Sequence, residues 1–235
     1  MASKRGRIDT FIAKQLQIPK KSVRSLIANQ QLLLNGDIVI TPDTQIDEFS
    51  VIECQGEILQ QRQRAYWMLY KPQGVVSATV DEQHQTALDL LEGVDKDLLH
   101  IAGRLDLNST GLLLITNDAK WSQALMSPDN KVTKRYVVTL ANPIDDTYIE
   151  AFDKGMWFEY EGITTQPAKL TVLSKHQAMV ELNEGKYHQI KRMFGRFNNP
   201  VVALHRESIG HIELDNTLQP GEFRALSADE VSLVN

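Results

Sequence analysis

The sequence predicts an α+β protein in two unequal parts, and three observations carry that prediction. Strand-like and helix-like stretches mix without a regular strand–helix alternation, which argues against a doubly wound parallel sheet. The first 55 or so residues hold two helical patterns and a hairpin signal of their own. A polar, Gln-rich stretch at residues 55–65 then separates them from the rest of the chain. We take residues 1–58 as the first unit, 59–65 as a linker and 66–235 as the second unit.

In the first unit, Ile8, Phe11, Ile12 and Leu16 fall on one helical face, and Ile18-Pro19 breaks that helix. A second helix over Lys20–Asn29 turns Val23, Leu26 and Ile27 inward and Lys20, Lys21 and Arg24 outward. Leu32–Leu34 and Ile38–Ile40 flank Asn35-Gly36, a strong hairpin signal, and Val51–Cys54 closes the unit as a strand. In the second unit, Tyr66–Tyr70 reads as a strand ended by a Lys71-Pro72-Gln73-Gly74 turn. Thr86–Leu91 reads as a short helix and Leu112–Thr116 as a buried strand. Asn117 or Asp118 caps a helix running to Met126. Strands are expected at Arg135–Leu140, Ala168–Leu173 and Ala178–Leu182, and helices at Asp145–Lys154 and His188–Phe197, the last ended by Asn198-Asn199-Pro200.

Composition narrows the function. Of the 235 residues 42% are apolar and 23% charged, so wholesale disorder is excluded. The longest apolar runs are too short to span a bilayer. The opening Met-Ala-Ser-Lys-Arg has no apolar run behind it, unlike a secretory signal, and a cytoplasmic location is expected. A single cysteine, Cys54, rules out an internal disulfide framework and a Cys-based zinc site. His205 and His211 are the closest histidine pair, and no acidic cluster supports them as metal ligands. The net charge of −5 excludes a uniformly basic coat. The charge is uneven, however. Residues 1–30 carry a net +6 (Lys4, Arg5, Arg7, Lys14, Lys20, Lys21 and Arg24 against Asp9), and residues 186–206 carry +5 with no acid. Two basic patches on an acidic body suit a polyanion gripped at two places; the plain alternative is solvated helix faces.

No P-loop, GxGxxG, His-Glu-x-x-His or Gly-x-Ser-x-Gly is present. Two segments can carry chemistry. His100–Gly111 is a polar loop between apolar stretches, with Arg104 and Asp106 inside it and Gly103 and Gly111 at its ends. A carboxylate in a rigid loop can act as nucleophile or base; alternatively Asp106 simply bonds its own turn. Asn183–Phe194 begins as a tight turn and becomes a helix whose apolar face (Ile190, Met193, Phe194, Phe197) leaves Lys191 and Arg192 near its edge. A cation at that edge can meet Asp106 and keep it charged.

These residues reach a family. Gly103-Arg104-Leu105-Asp106 with Asn108–Leu114 after it resembles the catalytic motif of the RsuA/RluA-type pseudouridine synthases. Lys71–Gly74, Lys134-Arg135-Tyr136, Gly185–Phe194 and Leu204-His205-Arg206 with Ile209-Gly210 resemble its other motifs, in order and in register across residues 66–226. The first 55 residues resemble the alpha-L RNA-binding module, with Arg7-Ile8-Asp9 opening it; Lys20 stands where that module usually has Arg, and Gln30 where it usually has Gly. Tyr66–Leu69, Pro167–Leu170 and Tyr187–Phe194 look most like the small-subunit branch, which acts on 16S rRNA.

The resemblance implies a catalytic domain on a mixed, mainly antiparallel sheet with flanking helices. It implies isomerisation of a uridine in 16S rRNA, of the position-516 type, although the residues themselves do not select the uridine. It implies no cofactor and no metal, and as partner 16S rRNA in a small-subunit assembly intermediate, bound by a monomer away from membranes. By the same token Asp106, Tyr136 and Lys191 are the expected catalytic residues. Tyr136 would stack on uracil and help with the proton at carbon 5, and Lys191 would be the ion-pair partner of Asp106. The expected RNA contacts are Arg104, Leu204, Arg206 and Arg192 in the second unit, with Arg7, Lys20, Lys21 and Arg24 in the first. Arg104 would fill the space vacated by a flipped nucleotide or hold its phosphate, and Leu204 would pack on the base. Lys71 would shape the turn before Gly74, and His188 would bond within its motif loop. Three other readings stay open: a sister-branch 23S rRNA enzyme, a ribosome-associated RNA-binding protein without catalysis, and a glycoside hydrolase, for which Asp106 lacks a partner acid.

Overall fold

Residues 6–232 are described by a computed structural model, in which the chain divides into units Met1–Arg64 and Ala65–Asn235. Lys4 and Arg5 of the first basic patch lie outside the described residues.

In the first unit, β1 (Gly6–Arg7) leads into α1 (Ile8–Gln15), and α2 (Lys20–Ala28) starts after Pro19 as the break in pattern requires. β2 (Leu32–Leu34) and β3 (Asp37–Ile38) form the expected hairpin. Asn35 and Gly36 both take the left-handed conformation that a tight two-residue turn demands. The second arm is shorter than expected: Val39 is buried, but Ile40 is exposed and unpaired with the sheet. β4 (Gln45–Ile46) pairs with β1. β5 (Ile52–Cys54) joins β2 to β6 (Glu57–Gln60) in a four-stranded sheet. The stretch read as a linker therefore begins as a strand. Gln60 Nε2 also donates to the Asp47 and Ser50 carbonyls, so polar side chains there satisfy backbone rather than loosen it. The core is Ile8, Ile12, Val23, Ile27, Leu32 and Ile52.

The end of α2 accounts for Gln30 in place of the module's usual glycine. Gln30 N–H donates to the Ile27 carbonyl and Gln31 N–H to that of Leu26, a Schellman ending, with Gln30 at φ 55°. Glycine occupies that conformation without a Cβ clash. We expect Gln30→Gly to raise the stability of this unit by about 0.5–1 kcal/mol, read as a higher denaturant midpoint at unchanged slope.

The second unit is built on nine strands. β7 (Tyr66–Lys71), β8 (His100–Ala102), β9 (Thr110–Thr116) and β10 (Lys134–Leu140) come first. The small hairpin β11 (Trp157–Phe158) and β12 (Ile163–Thr164) stands apart from that sheet. β13 (Lys169–Ser174), β14 (Gln177–Leu182), β15 (Val201–Ile209), β16 (Ile212–Glu213) and β17 (Phe223–Ala225) complete the sheet. Its order is β13-β14-β10-β15-β9-β7-β17, with β16 on β15 and β8 on β9. Every pairing is antiparallel except β15 with β9, so the sheet is mixed and mainly antiparallel.

The unbroken apolar run of β9 reflects its place. Leu113 and Ile115 enter one core with Val138, Phe152, Met193 and Phe194, while Leu112 and Leu114 enter the other with Trp121 and Leu125. A strand buried on both faces does not alternate. α3 (Ala119–Met126) covers one face, capped by Asp118, whose carboxylate accepts from the Lys120 and Trp121 amides; Asn117 instead accepts from Ala65. α4 (Thr147–Lys154) and α5 (Gln189–Gly195) contribute to the other core, and the C-terminal turn α6 (Ala228–Ser232) comes after β17.

Thr86–Leu91 is not a helix. Thr86 N–H donates to Asp89 and Asp89 N–H to the Thr86 hydroxyl, which is a helix-starting box. The turn goes no further, because Thr86 is held in a parallel bridge to Val76, Leu88 and Leu91 are both drawn into the core, and Gly93 reverses the chain at φ 72°. Among the described residues no helix is long and apolar enough to cross a membrane.

Candidate active site

Loop 103–109 joins β8 to β9, and two buried cationic side chains and one half-buried hydroxyl fix it from below. Arg206, 1% exposed, donates to the carbonyls of Leu112 (2.8 Å), Gly103 (2.8 Å) and Arg104 (3.4 Å). Lys71, fully buried, donates to Pro72 (2.9 Å), Leu107 (3.2 Å) and Ser109 (2.7 Å), which occupies all three of its N–H bonds. Burial lowers the Lys71 pKa to about 8, partly offset by the Asp106 charge. The Ser77 hydroxyl donates to the Leu105 carbonyl and accepts from the Leu105 amide. With its backbone so tied, the loop turns the Asp106 side chain outward into a cleft.

Two groups meet that carboxylate. Lys191 Nζ lies 2.7 Å from Asp106 Oδ2, and His188 Nε2 lies 3.2 Å from Oδ1. The reason is the register of α5. Ile190, Met193 and Phe194 are buried, which sets Lys191 at the helix edge facing the loop. His188 precedes the helix at φ 47°, a left-handed conformation that aims its ring back at Asp106. Tyr136 (β10) and Leu204 (β15) are nearly buried and line the same small cavity as Asp106, Arg104, His188 and Lys191. Ser109, whose buried Oγ has no hydrogen-bond partner, also adjoins it. A wider cavity of about 760 Å³ continues outward past Arg104, Lys134, Tyr136, Glu184 and Tyr187. Burial, and after it the nearby Arg206 charge, lowers the pKa of Lys134. Among the described residues no cluster of His, Cys, Asp or Glu is placed to hold a metal ion.

The structure thus gathers Asp106, Tyr136, Lys191, Arg104 and Leu204 at one cleft. It treats three expected RNA contacts differently. Arg206 is spent on backbone carbonyls inside the protein. Arg192 makes a two-pronged ion pair with Glu161 (2.6 Å for each prong) and lies 3.7 Å over the Phe158 ring. Arg7 is forked onto Asp9, although its side chain stays half exposed. The +5 stretch at 186–206 is therefore not a free cationic face: only Arg196 is exposed without an acidic partner among the described residues. Lys20, Lys21 and Arg24 are exposed on α2 as expected. The sequence did not mark Ser77, and His188, expected to bond within its own motif loop, instead meets Asp106 because its left-handed backbone turns the ring toward loop 103–109. Nor did the sequence single out Glu184, a buried carboxylate that accepts from Gln166 N–H and Gln189 Nε2 and so braces the turn before α5. The Asn183-Glu-Gly turn signal marked that position without naming its partners.

The cleft has apolar and aromatic walls, an ion-paired carboxylate and an exposed arginine at its lip, an arrangement with room for a flat polar ring. The chain belongs to the RNA pseudouridylate synthase family, whose sequence model matches residues 65–195. It is 44% identical over 229 residues to the ribosomal small subunit pseudouridine synthase A of Pseudomonas aeruginosa, covering 97% of this chain and 100% of that one. The proteins of the same description from Vibrio cholerae and Escherichia coli K12 are each 41% identical, covering 97% of this chain and 99% of theirs. A crystal structure of a pseudouridylate synthase superimposes with a TM-score of 0.71 at 36% identity, over 97% of this chain and 99% of that one.

Proposed function

We propose that this RNA pseudouridine synthase isomerises a uridine of 16S rRNA, of the position-516 type, with Asp106 as the group that acts on the nucleoside. The observation that carries the reading is the Asp106 carboxylate, ion-paired to Lys191 at 2.7 Å and sharing a cavity with Tyr136 and Leu204. The small-subunit description of relatives matched over nearly the whole chain supports 16S over 23S rRNA.

The reaction breaks the bond from ribose C1′ to uracil N1 and forms one from C1′ to C5. N1 gains a proton and C5 loses one, so the product is an isomer. Such chemistry needs the base out of its stack, at a cost of a few kcal/mol. Arg104, exposed at the lip, takes the vacated space or a phosphate. Tyr136 and Leu204 hold the ring while it turns. Asp106 either attacks C1′ or removes the proton at C2′; both routes need the carboxylate held in a fixed orientation, which Lys191 and His188 provide. Lys71 and Arg206 act through the loop as positioning residues.

The first unit acts as an alpha-L RNA-binding module. Its support is the build of two helices, a four-stranded sheet and a two-stranded one, with Lys20, Lys21 and Arg24 exposed on α2, where they meet phosphates. The chain works as a monomer on a small-subunit assembly intermediate. The test is pseudouridine mapping of both rRNAs from cells lacking this protein. One site is expected to disappear from 16S rRNA; loss from 23S rRNA instead overturns the substrate, and no loss overturns the function.

A further inference from the structure

Tyr187 is an aromatic residue left 70% exposed beside the cleft. One face of its ring is covered: the His188 imidazole stacks on it, centroids 3.9 Å apart and planes 20° from parallel. His188 in turn touches Asp106 Oδ1 at 3.2 Å. Asp106, His188 and Tyr187 therefore form a continuous line from the reacting carboxylate to solvent, and Tyr187 lines the wider cavity together with Arg104 and Tyr136.

The ring is held ready. Lys186 N–H donates to Gln189 Oε1 and Gln189 N–H to the Lys186 carbonyl, closing the turn around it. Arg192 donates to the Tyr187 carbonyl at 3.4 Å while its fork is fixed by Glu161. Arg192 is thus diverted from phosphate to hold this segment. An aromatic face already fixed in place loses little freedom when it receives a partner.

We propose that Tyr187 is a stacking platform for the base next to the everted uridine. This rests on the reading of the cleft as an RNA isomerase site. Everting one nucleotide strips its neighbour of a stacking partner, and a phenol ring at the mouth replaces it whatever the base identity. Arg104 and Lys186, lining the same cavity, are placed for the flanking phosphates.

The test uses fragments of 16S rRNA around the modified uridine, with fluorescent 2-aminopurine on its 5′ side in one and on its 3′ side in another. Wild-type protein is expected to quench the probe at one of these positions. Tyr187→Ala should abolish that quenching and raise KM about tenfold, and Tyr187→Phe should restore both. An RNA that is abasic at the quenched position should make wild type and Tyr187→Ala equal. Quenching at neither position, or quenching that survives Tyr187→Ala, overturns the proposal. A fall in kcat of the same size on abasic RNA also overturns it, because it makes Tyr187 a prop for His188. Failure of the functional reading shows separately, as no pseudouridine formed by wild type in the unlabelled fragment.

Discussion

Asp106→Asn is expected to lower turnover at least about 10³-fold while leaving RNA affinity within a factor of a few. The amide keeps the size and the loop geometry. It removes the charge, so it can neither attack an anomeric carbon nor take a proton from carbon 2. The fold should tolerate the change, because Asp106 and Lys191 are each about one-third exposed on their side chains and such an ion pair contributes at most about 1 kcal/mol. Thermal denaturation alongside single-turnover kinetics separates the two effects. Turnover within tenfold of wild type removes Asp106 from the chemistry and leaves His188 and Lys191 without a purpose at the cleft.

Gly111→Ala should have the largest effect on stability. Gly111 sits where β9 and β15 run parallel, opposite Arg206, at φ 107°. A Cβ there would lie 2.3 Å from the Arg206 carbonyl oxygen and 2.7 Å from its nitrogen, both backbone atoms at the centre of the sheet. Neither strand can yield without parting the pairing that supports loop 103–109. We expect a loss of about 4 kcal/mol and a fall in Tm of roughly 10 °C, with activity lost well below that temperature. A Tm within 2 °C or so of wild type contradicts the close approach of the two strands. Gly111 is a case in which a motif residue serves backbone contact rather than chemistry.

The legible parts of the fold were those with a strong local signal. The Asn35-Gly36 hairpin, the Pro19 break, the Asp118 cap and the apolar face of α5 each depend on residues within one turn of one another. The same periodicity placed Lys191 at the helix edge, and the structure carries it to Asp106. Strands as short as β6 and β8, four and three residues long, are too brief to show an apolar alternation. The fate of the arginines was also out of reach. Arg192 is neutralised by Glu161 on the β11–β12 hairpin, 31 residues away, and no composition rule announces that pairing. Arg206 offered a fainter signal. It comes after Leu204 and before Ser208 on the inward side of β15, and all three are buried. A basic residue at an inward strand position must bond internally, which is what its three carbonyl partners supply.

We propose that the Asp106 carboxylate drives exchange of a glycosidic nitrogen for carbon 5 of the same uracil, and the roles proposed for the cleft depend on that step. Forming the new bond expels the hydrogen at carbon 5, so the most direct measurement is tritium release from small-subunit RNA labelled at carbon 5 of uridine. Stoichiometric release is expected from the wild-type protein, with matching pseudouridine, and none from Asp106→Asn at equal RNA binding. Release that persists in that variant, or RNA bound by the wild type with its tritium retained, contradicts the proposal.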